Sequence, residues 1–512
     1  MSILQPILFT PSASALSACS SISSSVNIPI YSVPVSSLAP EYVYAKTHYY
    51  SATNADNTPA CVVFPTAAEH VSGILRVLDA FPDVGFAVKS GGHNPNTGFS
   101  STDGGVLISF KDWNKSVLKG DGGLADVSPG ARWENVISDL EERGRAVVGG
   151  RIGDVGVGLL LGGGLSFLST QYGLACDSVV NYEVVLANST VVNVNENENS
   201  DLFWALKGGG NQFGIVTKYT MKTVPIGQVW GGVRTYSFLN ADKLLAATSD
   251  WTGNLPDPKG SVIVTGDVAA DNVIDIFVVY FFYDGPIPPP GVFDKFDIIP
   301  ALTDDTKTRS YSDLLLANNE LASIYGFRFI LRASTIPNLP GQNGTDLYVS
   351  AYNLYQNYLI SQGLDRLFQL GFVFSISFQP FPHQIPLQSQ IVNPHGNPMN
   401  LSAADGDKMW IGFTISWLAS ISDSTATDIS QHLTESLEAF VEETYPGLKS
   451  TNEIEGGEKG AGNEFVYLND AMSDQRPLQS YGRESYERLR AIQRRYDPDG
   501  MLRGRTGGFK YV

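Results

Sequence analysis

The residues with chemical promise fall in three glycine-rich stretches between positions 90 and 214. The first, KSGGHNPNTGFSSTDGG from Lys89 to Gly105, sets one histidine, His93, among Gly, Ser and Asn directly after the apolar run Val84–Val88. Such a segment is neither a helix interior nor a regular strand. Glycine loses too much backbone entropy there, and Asn and Ser compete for backbone hydrogen bonds. It reads as a tight loop whose N–H groups face something. The second stretch is GGRIGDVGVGLLLGGGLSFLS, Gly149 to Ser169, and the third is GGGNQFG, Gly208 to Gly214. One long ligand lying across several strand-to-helix junctions would require such loops. Each donates N–H groups to a diphosphate, or lets a flat ring approach the main chain. The plain alternatives are three unrelated turns and a hydrogen-bonding surface histidine.

Known motifs narrow the field. Gly156-Val-Gly158-Leu-Leu-Leu-Gly162 is one residue too long for a dinucleotide fingerprint, and no convincing strand leads into Gly156. Asp177 lies at a suitable distance for a ribose contact, a weak signal by itself. There is no Gly-Lys-Ser/Thr phosphate loop and no Gly-x-Ser-x-Gly elbow. The three cysteines, Cys19, Cys61 and Cys176, show no zinc spacing.

The elements that must position these loops follow an α/β pattern. Thr66-Ala-Ala-Glu69 reads as a capping box before Val71, Ile74, Leu75 and Leu78 at helical spacing. Val84–Lys89 and Val106–Phe110 read as strands, and Trp133, Val136, Ile137 and Leu140 mark a helix ended by Gly144. A hairpin turns at Asn188-Ser189, Asp201–Lys207 is a short helix, and Ile215 to Met221 alternate as a strand. Beyond residue 226, aromatic alternating runs at Val262–Thr265, Ile274–Tyr283, Gly371–Phe378 and Met409–Trp417 predict a large antiparallel sheet. Helical patterns at Tyr352–Gln362 and Ile429–Thr444 cover one face of it, and Tyr486–Arg495 forms a helix stopped by Asp497-Pro498. The expected division is an arm over 1–45, a cofactor domain over 46–225, a substrate domain over 226–445, and a segment over 446–512 returning to the cofactor domain.

The totals fit a globular protein of more than one core: 512 residues, 43% apolar and 17% charged. A net charge of −18 disfavours nucleic acid, so any bound phosphate must be held by backbone dipoles and a few local groups. No apolar stretch is long enough to span a membrane. The start, with Ile3–Phe9 apolar but no positive region, makes a poor leader. Cys19 and Cys61 either pair in an oxidising compartment or stay free thiols; a pair, with the sequons at Asn114, Asn188, Asn343 and Asn400, leans toward secretion or the endomembrane system, and localisation stays open.

Ser90-Gly-Gly-His93, Val155-Gly-Val-Gly158 with Leu161-Gly-Gly-Gly164, and Phe213-Gly-Ile-Val-Thr217 resemble, in order and spacing over 58–225, a known flavin domain. It is that of the vanillyl-alcohol-oxidase type (PCMH-type) FAD-linked oxidoreductases. Tyr467-Leu-Asn469 and Tyr496-Asp-Pro498 with Gly507-Gly-Phe-Lys510 resemble their berberine-bridge-like branch, especially its fungal members. Residues 226–440 match only in general pattern. The resemblance implies an α+β fold: a PCMH-type FAD-binding domain of two α/β subdomains, and a substrate domain whose antiparallel sheet is covered by helices. It implies that His93 bonds through a ring nitrogen to the flavin 8α-methyl carbon, with Ser90, Gly91, Gly92 and Asn94 cradling the diphosphate. Gly98, Gly156, Gly158, Gly162, Gly163, Gly214, Ile215, Val216 and Asn469 are further cofactor-binding positions by the same likeness. Many relatives add a second link through a cysteine three residues before the Val of Val-Gly-x-Gly. Here that position is Ile152, which implies a single covalent bond and argues against an open carbohydrate groove. Val155 matches an oxygen-gatekeeping position at which a small residue accompanies oxidase behaviour.

The chemistry so implied is hydride delivery from a substrate C–H to flavin N5, proton removal by a base, and reoxidation by O2 to hydrogen peroxide. Plant members often read Tyr-Leu-Asn-Tyr, the last Tyr serving as base; here Asp470 stands in its place. Asp470 serves as a base if desolvated, or as a helix cap or ion-pair partner otherwise. Tyr467 is the other catalytic candidate, and with Asn469 a candidate contact to flavin or substrate. The Ser377-Phe-Gln379 strand and the Asn400 region are candidate pocket linings; His383 is either a pocket residue or a turn histidine. The expected partners are O2 and a small molecule: a secondary-metabolite alcohol, an amine or a cyclisable precursor. The alternatives are a carbohydrate oxidase and a non-redox flavoprotein acting as cyclase or binder.

Overall fold

The computed structural model describes residues 11–269, 274–322, 325–363, 371–445 and 465–512. The Ile3–Phe9 run and the first part of the expected C-terminal segment, residues 446–464, lie outside the described residues.

Three sheets organise the chain. In the first, β1 (Ile30–Ser32), β2 (Cys61–Val63), β3 (Phe86–Lys89) and β4 (Val106–Ser109) lie in the order β1-β2-β4-β3. β4 runs parallel to both β2 and β3, while β1 is antiparallel to β2. The parallel strands are buried on both faces, as crossover connections require. The helix Ala68–Asp79 covers one face with Val71, Ile74, Leu75 and Leu78, the spacing read from the sequence. Its expected capping box does not form. Ala67 is the cap residue and makes no side-chain cap bond, and the Thr66 N–H donates instead to His70 Nδ1 at 3.3 Å.

The described part of the N-terminal arm packs against the first sheet. Ala13–Ser25 is a helix whose Ala15, Ala18, Cys19 and Ile22 pack into the core of the first sheet, and Cys19 is disulfide-bonded to Cys61 at the start of β2. Ser12 caps that helix by accepting from the Ala15 N–H at 3.1 Å.

The second sheet is antiparallel, with path β5-β6-β10-β8-β9 and β7 paired to β10. The strands are β5 (Ser116–Lys119), β6 (Leu124–Val127), β7 (Arg145–Val147), β8 (Val179–Val185), β9 (Val191–Asn195) and β10 (Ile215–Pro225). The helix Trp133–Glu141 buries Trp133, Val136, Ile137 and Leu140, and Gly144 follows at φ 66°, which only glycine adopts without strain. The hairpin β8–β9 turns through Ser189, also at positive φ.

The third sheet is the large antiparallel one, in the order β14-β11-β13-β12-β17-β18-β16 with β15 paired to β11. It comprises β11 (Val229–Ser237), β12 (Gly260–Ala269), β13 (Ile274–Tyr283), β14 (Thr303–Asp304), β15 (Lys307–Arg309), β16 (Arg328–Pro337), β17 (Val373–Phe381) and β18 (Lys408–Trp417). Strand alternation gives it two faces. Val262, Val264, Phe277, Val279, Phe374, Ile376, Phe378, Ile411 and Phe413 pack in one core with Leu347, Tyr348 and Tyr355 of the helix Gln342–Ser361 and Leu433 and Leu437 of Asp423–Thr444. Residues of the opposite parity, among them Tyr280, Phe282 and Trp410, pack in the core that belongs to the second sheet. Among the described residues no helix is long and apolar enough to cross a membrane, and no cluster suited to a metal ion occurs.

Candidate active site

Where the large sheet meets the two smaller ones, the glycine loops and the C-terminal segment enclose a cavity of about 390 Å³. The loop after β3 forms one wall. Gly91 lies back to back with the second loop: a β-carbon on it would sit 2.6 Å from the Gly156 nitrogen and 2.8 Å from its Cα. Arg132 bridges the same junction, donating from Nη2 to the Gly91 carbonyl at 3.0 Å and ion-pairing with the Asp154 carboxylate. Gly92 takes φ 75°, with the Lys89 stem and the Tyr49 ring where a side chain would go. Lys89 itself is buried and donates to the carbonyls of Ala45 (2.9 Å) and His48 (2.7 Å), so its amine braces the chain from behind.

His93 points into this cavity wall with its ring stacked on Tyr50 at 4.1 Å, and Tyr50 stacks in turn on Phe329 of β16 at 4.3 Å. Burial, helped by the Arg132 charge, pushes the imidazole down to about 3, so the ring is neutral at working pH. A neutral imidazole has one unprotonated ring nitrogen, the protonation state that nucleophilic attachment needs. Beside it the Ser90 hydroxyl is buried and has no partner among the described residues. A buried hydroxyl left unpaired is costly, so one lining a cavity marks a place for an acceptor from a ligand.

The second loop is shaped by Trp133, whose indole lies where side chains on Gly149 and Gly150 would project. Val155, Gly156, Gly158 and Gly162 line the cavity, as does Ile152. The third loop contributes Gly210, Asn211, Gly214, Ile215 and Val216. Asn94 lines the wall as well, its carboxamide oxygen accepting from the Asn96 N–H at 2.9 Å.

Gly98 and Gly163 are not among the residues that line the cavity. Gly98 adopts φ 85° in a turn held by the Ser101 hydroxyl at 3.1 Å, packed against Gly507 of the C-terminal tail. Gly163 adopts φ 97°, and a β-carbon there would meet Met399. Their glycines serve the turn, which a sequence pattern does not separate from ligand contact.

The C-terminal segment is stitched in place by two carboxamides. Gln475 pairs with both backbone groups of Ala333 (3.0 and 2.7 Å), and Asn96 takes the Ser473 N–H (2.8 Å) and donates to the Ala471 carbonyl (2.9 Å). This presents Tyr467, Asn469 and Asp470 to the cavity. The Tyr467 hydroxyl accepts from the Leu165 N–H and from Asn469 Nδ2, both at 2.9 Å, and its ring stacks on Trp410 at 4.3 Å. Burial raises its pKa, and its oxygen already accepts two bonds, so Tyr467 is placed to orient and not to take a proton. Asn469 also donates to the Leu159 carbonyl at 3.0 Å, tying the segment to the second loop.

Asp470 differs. Its pKa is raised by burial, against the opposing pull of Gln379 and Arg151. Gln379 Nε2 donates to Asp470 Oδ2 at 2.9 Å, while Arg151 donates to Gln379 Oε1. Gln379 was legible as a pocket candidate; Arg151, Arg132 and Tyr50 were not recognised. For Arg151 a signal existed, the one basic residue inside a largely apolar glycine-rich run. His383 lies outside the cavity, its ring Nδ1 2.8 Å from Asp407, and Asn400 lies outside it too.

The FAD binding domain family matches residues 59–195. An uncharacterized FAD-linked oxidoreductase of Arthroderma benhamiae is 34% identical over 478 residues, covering 92% of this chain and 91% of that protein. An FAD-dependent monooxygenase of Aspergillus calidoustus is 32% identical over 484 residues, covering 92% and 86%. Among solved structures, the glucooligosaccharide oxidase of Acremonium strictum, which carries a 6-S-cysteinyl, 8α-N1-histidyl FAD, superposes with a TM-score of 0.72. It is 20% identical and covers 97% of this chain and 99% of its own. The glycine walls, the orphaned Ser90 hydroxyl and the neutral His93 fit a flavin dinucleotide, and the chain belongs to the FAD-linked oxidoreductases, with the fold of the solved flavin oxidases.

Proposed function

We propose that the protein is an FAD-dependent oxidase of a small organic molecule, with FAD attached once, through His93, and with O2 as the electron acceptor. FAD held by these residues would supply the redox chemistry, hydride acceptance from a substrate carbon with O2 as the final acceptor. Everything else falls to side chains of this chain. Ser90, Gly91, Gly92 and Asn94 offer donors and close approach for the diphosphate, and Val155, Gly156, Gly158 and Gly162 form the opposite wall. Tyr467 and Asn469 fix the wall beside Leu165 and Leu159. Asp470 takes the substrate proton, and Gln379 holds that carboxylate in place.

The observation that carries the reading is the meeting, on one cavity, of a neutral imidazole and a carboxylate raised by burial. A base with a raised pKa is the kind suited to proton removal near neutral pH. Ile152, in place of a cysteine, supports the single link and a pocket for compact substrates over an open carbohydrate groove.

The test is direct. Purified protein should be yellow and retain its pigment on acid precipitation, and His93→Ala should release it. Anaerobic mixing with phenolic, alkaloid and polyketide panels should bleach the flavin, and a peroxidase-coupled assay in air should register peroxide. Bleaching by oligosaccharides alone would refute the substrate assignment, and pigment release from the wild type would refute the covalent link.

A further inference from the structure

We propose that a strap, residues 50–54, positions the His93 ring for its bond to the cofactor and makes that bond conditional on docking of the large sheet. This deepens the proposed function and rests on its single covalent link. The strap lies between two parts of the molecule. On one side it holds the first glycine loop. The Tyr50 N–H donates to the Gly92 carbonyl at 3.1 Å, and Asn54 Nδ2 donates to the carbonyls of Asn94 (3.3 Å) and Pro95 (3.2 Å), so His93 is bracketed on both sides. On the other side the strap holds β16, the end strand of the large sheet. The Ala52 N–H donates to the Phe327 carbonyl at 2.8 Å. The Ser51 hydroxyl donates to the Phe329 carbonyl at 3.1 Å and accepts from the Phe329 N–H at 2.8 Å.

Three rings cross the same junction. His93 stacks on Tyr50 at 4.1 Å with 14° between the planes, and Tyr50 stacks on Phe329 at 4.3 Å with 21°. The imidazole belongs to the loop, the phenol to the strap and the phenyl to the large sheet. The stack fixes what the loop leaves loose. Gly91 and Gly92 bring no side chain against the imidazole, and rotation about the Cβ–Cγ bond of a histidine is broad. The electron pair of the unprotonated nitrogen lies in the ring plane, so that plane sets the line of attack. The Tyr50 face sets the plane, and Phe329 backs Tyr50. The Tyr50 hydroxyl is not needed for this. Burial, helped by the Asp470 carboxylate, raises its pKa, so the phenol stays neutral and is no base for the imidazole.

Attachment joins a ring nitrogen of His93 to the 8α-methyl carbon. One methyl C–H bond and the imidazole N–H bond break, and one C–N bond forms. The two hydrogens, with their electrons, leave to O2, the acceptor in the proposed function, as hydrogen peroxide. Such a step needs the reacting atoms about 3–3.5 Å apart and aligned, and a small misplacement costs about 100-fold. A stacked aromatic pair shifts an equilibrium by about 2- to 10-fold, so the two stacks hold the ring plane against that loss. A chain whose large sheet has not docked lacks Phe329 behind Tyr50 and lacks the β16 hydrogen bonds that seat the strap. It would hold FAD without bonding to it. The covalent bond therefore marks a molecule in which the loop and the large sheet have come together.

The experiment uses full-length protein made in a flavin-starved host and then given FAD in air. It reads total bound FAD from visible absorbance, and the part that stays with the chain on acid precipitation. Neither readout involves a substrate. Wild type should become fully acid-stable. Tyr50→Leu should bind FAD but become acid-stable about 10- to 100-fold more slowly. Phe329→Leu, which leaves Tyr50 in place, should be slower by about 2- to 10-fold. Tyr50→Phe keeps the ring face and should match wild type, a rescue that a hydroxyl role would not allow. Wild-type speed in Tyr50→Leu would overturn the inference, as would a Tyr50→Phe protein as slow as Tyr50→Leu. Where Tyr50→Leu does not fold, Phe329→Leu carries the test, and wild-type speed there overturns the inference. Wild-type protein that binds FAD and releases all of it in acid would overturn the covalent link of the proposed function. Wild-type protein that keeps its FAD beside variants of equal speed overturns only this inference.

Discussion

Two glycines in the cavity wall separate backbone packing from ligand space. At Gly91 a β-carbon would stand 2.6 and 2.8 Å from the nitrogen and Cα of Gly156 and 3.3 Å from the Asp154 carbonyl. All three are main-chain atoms, so no side chain can swing away. Gly91→Ala must pry the first loop from the second, at about 1–3 kcal/mol typical of overpacking. Gly158 also lines the cavity, but a β-carbon there meets no atom within 4 Å, and its φ is not positive. Gly158→Ala should therefore leave the flavin-free chain as stable as wild type, or more stable by about 0.4–1 kcal/mol through a less flexible unfolded state. Its methyl group would instead enter space reserved for the cofactor. Thermal melting and the flavin-to-protein absorbance ratio, measured on both variants, read the two effects apart. Gly91→Ala should lower both quantities, whereas Gly158→Ala should lower only the flavin ratio. A Gly158→Ala protein that loads flavin like wild type would refute the claim that this wall faces the cofactor. A Gly91→Ala protein with an unchanged melt would refute the backbone contact.

Two further outcomes concern buried carboxylates. Asp470 must be ionised to take a proton, so activity is lost as pH falls through its pKa. Because burial raises that pKa, the acid limb of kcat/KM should lie above the ordinary Asp value of about 3.9. Asp470→Asn should lose about 100-fold or more in kcat and abolish that limb, while the flavin spectrum persists. Asp267, on β12 beside Ser375 of β17, is raised by burial from 3.8 to about 6. Its folded form holds the proton more tightly, so its penalty on stability is absent below about pH 4, grows as pH rises toward 6, and is constant above. Asp267→Asn should thus stabilise the protein by about 2–3 kcal/mol at pH 8, a gain that denaturant titration should show vanishing at pH 4.

Much of this architecture was legible because the relevant forces are local. The alternation in Ile274–Tyr283 and Lys408–Trp417 marks strands with two unlike faces, and the helix behind Val71 and Leu78 shows in its spacing. The N-terminal helix carries the same signal, Ala15, Ala18, Cys19 and Ile22 at helical spacing, but in small residues among serines that look like loop. β16 escaped notice because Arg328 and Arg332 interrupt it. Tertiary partners resolve that conflict: Arg328 pairs with Asp56 and Asp423, and Arg332 with Asp474 at 2.6 Å. The site divides in the same way. Gly91, Gly156 and His93 announce themselves because glycine patterns are read along the chain. Tyr50 and Arg132 act through contacts with residues 41 to 43 positions away, which leave no mark on their own neighbourhoods.

The charged chain at the cavity also explains why the site needs the whole molecule. Arg151 comes from the second glycine loop, Gln379 from the large sheet and Asp470 from the returning C-terminal segment. Gln379 satisfies both charges at once, so any slippage of the large sheet against the loops leaves a buried guanidinium and a buried carboxylate each short of a partner. Since an unmatched buried charge is costly, these three residues hold the three segments in register, and Gln379 is the residue through which a shift of the large sheet reaches both Arg151 and Asp470.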